Sequence, residues 1–299
     1  MSTTDRRSPL RRRAALAIGL LALGMVGLVA CGEPAPPPPP PRQNVFVVYG
    51  DSLVDQTEPL VTQRLQQLLP TWRIVVRARG GAAQCDYHQA MIDDAAALNV
   101  KGVLIAFSGN SLTPCITSRS RVQGYIDDFL WANDFWTNHL VAHAFVAAPA
   151  AVGTLLTDRS VGNAYADLAN WFGVPLAETA PFFTQGSPLS FRRDMPCLVG
   201  ELRTDGVTPC TGYVTVRDDL GSHFCSDICP ATAPGAVRFV EPIVHAVASM
   251  LGLTQPPYLV AQDLPPSPVT TSTTSTTSTT STSSTTSTTS TTTTTTTAP

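Results

Sequence analysis

The sequence predicts an α/β fold of three layers, with helices on both faces of a parallel sheet of about five strands. Three observations predict it. Val45–Tyr49 and Val103–Phe107 are continuous apolar runs of strand length, and Val141–Ala147 is another broken only by His143, the pattern of strands covered on both faces. Segments with helical apolar spacing lie between them. Several of the runs end in short glycine-containing polar loops, and open α/β sheets carry their reactive groups just beyond such strand ends.

The elements follow in order. After the first strand, Thr57-Glu58-Pro59 has the form of a helix start, and Leu60, Val61, Leu65, Leu68 and Leu69 share one face as far as Pro70. Arg73–Val76 forms a short second strand, closed by Arg79-Gly80-Gly81. Asp86–Leu98 has a helical pattern with Met91, Ala95 and Leu98 inward. Val103–Phe107 is the third strand and runs into Ser108-Gly109-Asn110-Ser111. A long helix is expected over residues 118–138, with Val122, Tyr125, Phe129 and Trp136 in the core. Val141–Ala147 is the fourth strand, Ala164–Phe172 a short helix and Val174–Glu178 a fifth strand. Residues 181–222 hold several prolines and little periodicity, and read as a long loop pinned by disulfides. Pro234 opens a last helix whose stripe is Val237, Val240, Ile243, Val244, Val247 and Leu251.

Neither end of the 299-residue chain reads as part of this domain, which is expected over residues 43–260. Residues 1–30 combine five arginines with an apolar run ending Leu28-Val29-Ala30, the form of a secretory leader. Leu-Val-Ala-Cys resembles the lipobox of bacterial lipoproteins, which implies a lipid on Cys31 and a cell-membrane lipoprotein on the extracytoplasmic face; the alternative is a signal anchor. Residues 31–42 form a tether with prolines from Pro36 to Pro41, a stiff spacer. Residues 261–299 are almost wholly Ser and Thr, with too little apolar surface to offset their ordering entropy, so a disordered tail is expected. Removing residues 1–30 leaves 14 basic against 21 acidic residues, a net charge of −7. That balance excludes a nucleic-acid binder, which needs clustered cations. Contact with the membrane is expected through the lipid alone, and the protein is expected to act as a monomer.

Six cysteines follow Cys31, an even number that suits three disulfides in an exported chain. The alternative is a zinc site built from His223, Cys225, Cys229 and Cys210. Cys85 follows the Gly81 loop and Cys115 follows the Asn110 loop, so these two are expected to bond each other; pairing among Cys197, Cys210, Cys225 and Cys229 stays open.

Three loops converge if the strands order as expected: Gly50-Asp51-Ser52, Arg79-Gly80-Gly81 and Gly109-Asn110. A serine hydroxyl is a weak nucleophile that needs a neighbouring base and donors for the oxyanion it creates. Ser52 would supply the hydroxyl, with donors from Ser52 itself, Gly81 and Asn110. The last loop of such a sheet returns over the same edge, and His223 lies there. Taken alone, Gly50-Asp51-Ser52 also reads as an ordinary turn.

Together these residues resemble the SGNH/GDSL hydrolase superfamily over nearly the whole ordered domain. Val-Tyr-Gly-Asp-Ser-Leu is similar to its first block and carries the nucleophile at Ser52. Gly80-Gly81 is similar to the second block and Gly109-Asn110 to the third. The resemblance is nearest to exported actinobacterial members, and more distant to the extracellular domain of peptidoglycan O-acetyltransferases. It implies a flavodoxin-like sheet and serine esterase chemistry on an acyl ester or acylated glycan, with no metal or organic cofactor. The last block departs from the pattern. The family's aspartate, three residues before the histidine, is Leu220 here, so Asp219, or else Asp218, is expected to accept from the imidazole of His223. A second segment, Asp205-Gly206-Val207-Thr208-Pro209, has the block's acid, glycine and proline but threonine where the base should be. Two other functions stay open: acyl transfer to a cell-wall glycan, and a non-catalytic binding lipoprotein on the same scaffold.

Overall fold

The computed structural model of the chain describes residues 42–256 apart from Ser118. The leader expected over residues 1–30, the lipidation expected on Cys31, the proline tether up to Pro41 and the Ser/Thr tail expected over residues 261–299 lie outside these residues. Strand β1, Val45–Gly50, is buried along its whole length. Its alternating side chains feed two separate cores. Phe46 and Val48 join one with Leu60, Val61, Leu65 and the last helix, while Val45, Val47 and Tyr49 join the other with Phe129, Trp136 and Tyr165. An uninterrupted apolar run is what a central strand with two dry faces requires.

Around it the chain forms α1 (Ser52–Leu68), β2 (Arg73–Ala78), α2 (His88–Ala97), β3 (Val100–Ala106), the single turn α3 (Pro114–Thr117) and α4 (Arg121–Asn138). Then come β4 (Ala142–Ala147), α5 (Ser160–Phe172), β5 (Leu176–Glu178) and, last among the elements of the described residues, α6 (Pro234–Met250). The sheet order is β2-β1-β3-β4-β5 and every pairing is parallel. Helices α1 and α6 cover one face; α2, α4 and α5 cover the other. This is the three-layer arrangement with five strands that the sequence predicts.

Two expectations are corrected. Helix α1 starts at Ser52, not near Thr57, because the Asp51 side chain caps it by accepting from the Leu53 N–H at 3.1 Å. Pro59 therefore lies inside the helix rather than in its first turn. Residues 181–222 are not wholly a loop. They fold into two small antiparallel pairs, β6 (Thr184–Gln185) with β7 (Ser190–Phe191) and β8 (Asp194–Pro196) with β9 (Tyr213–Thr215). Strands of two or three residues are too short to carry a period.

This appendage docks on α6 through a buried ion pair. Glu201 accepts from Arg238 Nε at 2.8 Å and Nη2 at 2.7 Å, and both side chains are almost inaccessible to solvent. Arg238 also donates to the carbonyls of Phe182 and Pro196. Its charge and most of its donors are thereby satisfied, the condition for burying a cation. Among the described residues no helix is long and apolar enough to cross a membrane.

Candidate active site

The site is built at the carboxyl end of β1. A Cβ on Gly50 would overlap the Val54 side chain and meet the Ala106 carbonyl at 3.0 Å, so only glycine lets the chain turn this tightly into α1. Asp51 follows and is completely buried. Its Oδ1 caps α1, while Oδ2 accepts from the Ser108 N–H and hydroxyl, both at 2.6 Å, and from Asn110 Nδ2 at 3.1 Å. Burial pushes its carboxyl up from the ordinary range, and the bonds from Ser108 and Leu53 pull it back. Asp51 thus ties the ends of β1 and β3 together, a role that the sequence reading did not assign. The signal was present: an Asp just before a helix is a capping residue.

Ser52 occupies the first position of α1, where the helix dipole favours negative charge. Its hydroxyl lies 3.1 Å from His223 Nε2. The Ser52 N–H and the Gly81 N–H have no acceptor among the described residues. Gly81 has φ +75°, a left-handed conformation that suits glycine in the turn after β2. Asn110 is fixed more tightly than an open oxyanion donor would be. Its Nδ2 is directed at Asp51 Oδ2 and, at 3.2 Å, at the Ala82 carbonyl, while its own carbonyl accepts from the Tyr125 hydroxyl at 2.9 Å. An oxyanion is a stronger acceptor than the neutral Ala82 carbonyl, so Asn110 can serve it by exchanging that bond. Cys85 and Cys115 form the disulfide expected between the Gly81 and Asn110 loops.

His223 comes from a compact turn before α6. The Asp218 N–H donates to the His223 carbonyl at 2.8 Å, and Asp218 Oδ1 accepts from the Ser222 and His223 N–H groups at 3.2 Å. Gly221, at φ +71°, closes the turn. The other carboxylate oxygen, Asp218 Oδ2, lies 3.7 Å from His223 Nδ1. That is beyond a hydrogen bond but within strong Coulombic range. Asp219, expected as the first candidate for this role, points outward: its side chain is 88% exposed and pairs with Arg193 at 2.7 Å. The tight turn sends Asp218 inward and Asp219 to solvent, which corrects the assignment.

The other candidates separate cleanly. Asp205 is exposed and bonds its own turn through the Val207 and Thr208 N–H groups and the Thr208 hydroxyl, which together hold its carboxyl down at about 2. Cys225 bonds Cys229 and Cys197 bonds Cys210, so the sulfurs of the zinc alternative are consumed in disulfides. His139 and His143 bond backbone carbonyls of their own neighbourhood, and His88 stacks on Trp131 at 3.8 Å, away from Ser52.

Ser52 and His223 line a depression together with Gly80, Gly81, Asp227 and Ile228. A second cavity, of about 250 Å³, is lined by their chain neighbours Leu53 and Ser222 and runs from Asn110 past Thr154 to Arg121, Asp158 and Arg159.

No protein-family model and no curated protein matches the chain. Solved structures resemble it distantly. A GDSL-like lipase from Bacteroides thetaiotaomicron is 11% identical, with 69% of this chain and 88% of that one covered and a TM-score of 0.44. Axe2, an acetylxylan esterase from Geobacillus stearothermophilus, is 14% identical over 47% of this chain and 78% of that one, with a TM-score of 0.39. An acetyl xylan esterase, AlAXEase, is 16% identical over 45% and 76%, with a TM-score of 0.37. Each score lies below 0.5, so the chemistry rests on the contacts of Ser52 and His223 themselves.

Proposed function

We propose that this chain is a serine ester hydrolase of the cell envelope. The observation that carries the reading is the 3.1 Å contact between Ser52 Oγ and His223 Nε2, in an open depression beside two N–H groups without acceptors. With its proton on Nδ1, the imidazole accepts the Ser52 proton at Nε2 as Oγ attacks the ester carbonyl. The carbonyl π pair moves to oxygen, held by the Ser52 and Gly81 N–H groups and by Asn110. Asp218, 3.7 Å from Nδ1, favours the imidazolium that forms. Collapse expels the alcohol, which takes the proton from Nε2 and leaves an acyl-serine. Water then repeats the sequence, releasing the acid and restoring Ser52.

The cavity suggests the alcohol. Asn110, Thr154, Asp158, Arg159 and Ser160 offer both donors and acceptors along it, which suits a hydroxylated leaving group such as a sugar better than a long alkyl chain. The substrate in this reading is a short acyl ester, including O-acyl groups on carbohydrate. Residues 1–30 export the chain, Cys31 carries the lipid, and the proline tether holds the domain off the membrane. Loss of labelled palmitate incorporation in Cys31→Ala tests the anchor.

The test of the chemistry is labelling by a fluorophosphonate probe together with release of acid from 4-nitrophenyl acetate. Both are expected in the wild type and absent in a folded Ser52→Ala variant; undiminished turnover in that variant would remove the reading. Acyl transfer to a glycan uses the same residues, and measuring acylated glycan beside free acid separates the two.

A further inference from the structure

The contact that usually orients a catalytic imidazole is long here, at 3.7 Å between Asp218 Oδ2 and His223 Nδ1. Ser222 Oγ, at 3.5 Å from the same nitrogen, is no closer to good geometry. The backbone on either side of His223 is held much better. Downstream, the Phe224 N–H donates to Gln56 Oε1 at 3.2 Å and Gln56 Nε2 donates to the Cys225 carbonyl at 3.0 Å. The Cys229 N–H donates to the Gln56 backbone carbonyl at 2.8 Å. Upstream, the Ser222 carbonyl accepts from Arg217 Nη1 at 2.8 Å; Arg217 is itself buried against the rings of Phe183 and Phe224 and donates to the Pro149 and Ala150 carbonyls.

Gln56 is the member of this set that connects the histidine to the nucleophile. It stands four residues after Ser52, one turn along the same helix, so both side chains emerge from one face of α1. It is almost fully buried, and it uses both ends of its amide. Glutamine fits for a chemical reason. The loop it grips presents one N–H, of Phe224, and one carbonyl, of Cys225, and a side chain of this length must accept from the first and donate to the second. Glutamate can only accept and lysine can only donate.

We infer that Gln56 is a positioning residue of this site, setting the Ser52–His223 separation by fastening the loop that carries the histidine to the helix that carries the serine. The inference rests on the reading of Ser52 as nucleophile. A near-attack geometry that depends on a clamp loses rate when the clamp is cut, while substrate binding is left in place.

The experiment is Gln56→Met, close in length and without either hydrogen bond, assayed beside the wild type on 4-nitrophenyl acetate and titrated with a fluorophosphonate. The expected result is a fall in kcat of tenfold or more, KM within threefold of wild type, and Ser52 labelling that still reaches one equivalent per chain at a correspondingly lower rate. Turnover within twofold of wild type overturns the proposal. So does a rate loss explained wholly by a smaller labelled fraction, which marks a merely structural role. An inert, unlabelled wild type removes the hydrolase reading and this proposal with it, whereas an active wild type with an unimpaired variant overturns this proposal alone. Should Gln56→Met fail to fold, hydrogen exchange in the wild-type chain decides: protection of the Phe224 amide supports the clamp, and exchange at the rate of an open loop overturns it.

Discussion

Replacing Asp218 by asparagine separates the two acids that compete for the place behind His223. Asparagine keeps an oxygen that can accept from the Ser222 and His223 N–H groups, so the turn survives and the charge alone is lost. At 3.7 Å, a carboxylate stabilises an imidazolium by about 1 kcal/mol at the dielectric of water and about 4 kcal/mol at the effective value of protein sites. The Asp218 side chain is 10% exposed and that of His223 35%, which puts the pair between these limits. The expected loss in kcat is therefore a factor of about five to about a thousand. Asp219→Asn, on an 88% exposed side chain paired with Arg193, removes only a surface ion pair, and kcat should stay within about twofold. Steady-state hydrolysis of 4-nitrophenyl acetate, with a thermal melt of each variant, measures both. The assignment fails if Asp219→Asn loses more than Asp218→Asn in folded protein.

Three further outcomes follow from other contacts. Asn110→Ala should lower kcat by about 10²–10³, or about 2.7–4 kcal/mol, if the amide reaches the oxyanion; a rate within threefold of wild type would leave Asn110 only its bond to Asp51. Burial pushes His88 down to about 4, so the folded state resists a proton that the unfolded chain accepts near the ordinary 6.5. Stability should be undiminished above that value and fall by up to about 3 kcal/mol as pH drops from 6.5 towards 4, a slope that His88→Phe flattens in urea melts. Glu201→Ala strands Arg238 in the interior and should cost about 3–5 kcal/mol, read from the urea midpoint.

How far the sequence discloses this site depends on the kind of contact. Val45–Tyr49 and Val103–Phe107 are legible because two dry faces demand unbroken apolar runs, and Val141–Ala147 because His143 alone interrupts one. Ser52, Gly81 and Asn110 are legible as loops at strand ends. The start of α1 is misread because Pro59 looks like a first-turn proline, while the capping bond from Asp51 that sets the true start is a matter of side-chain direction. The choice between Asp218 and Asp219 is hidden in a turn whose sense is fixed by Gly221 at φ +71°, which spacing along the chain does not encode. Gln56 is hidden for a different reason. A lone glutamine on a helix reads as solvent-facing until the loop it grips, 168 residues away, is seen beside it.

The three disulfides close spans of 30, 13 and 4 residues: one ties the segments after β2 and β3, one lies between β8 and β9, and one between β9 and α6. None crosses the layers or joins the sheet to its helices. Two apolar cores hold those layers together without covalent help. The covalent reinforcement is confined to the segments between the elements of the sheet, where local opening is expected to be cheaper than in the core strands. Under reducing conditions such a molecule softens from one end, and secondary structure outlasts catalytic competence. Circular dichroism alone would then describe as intact a protein that has already lost its working surface.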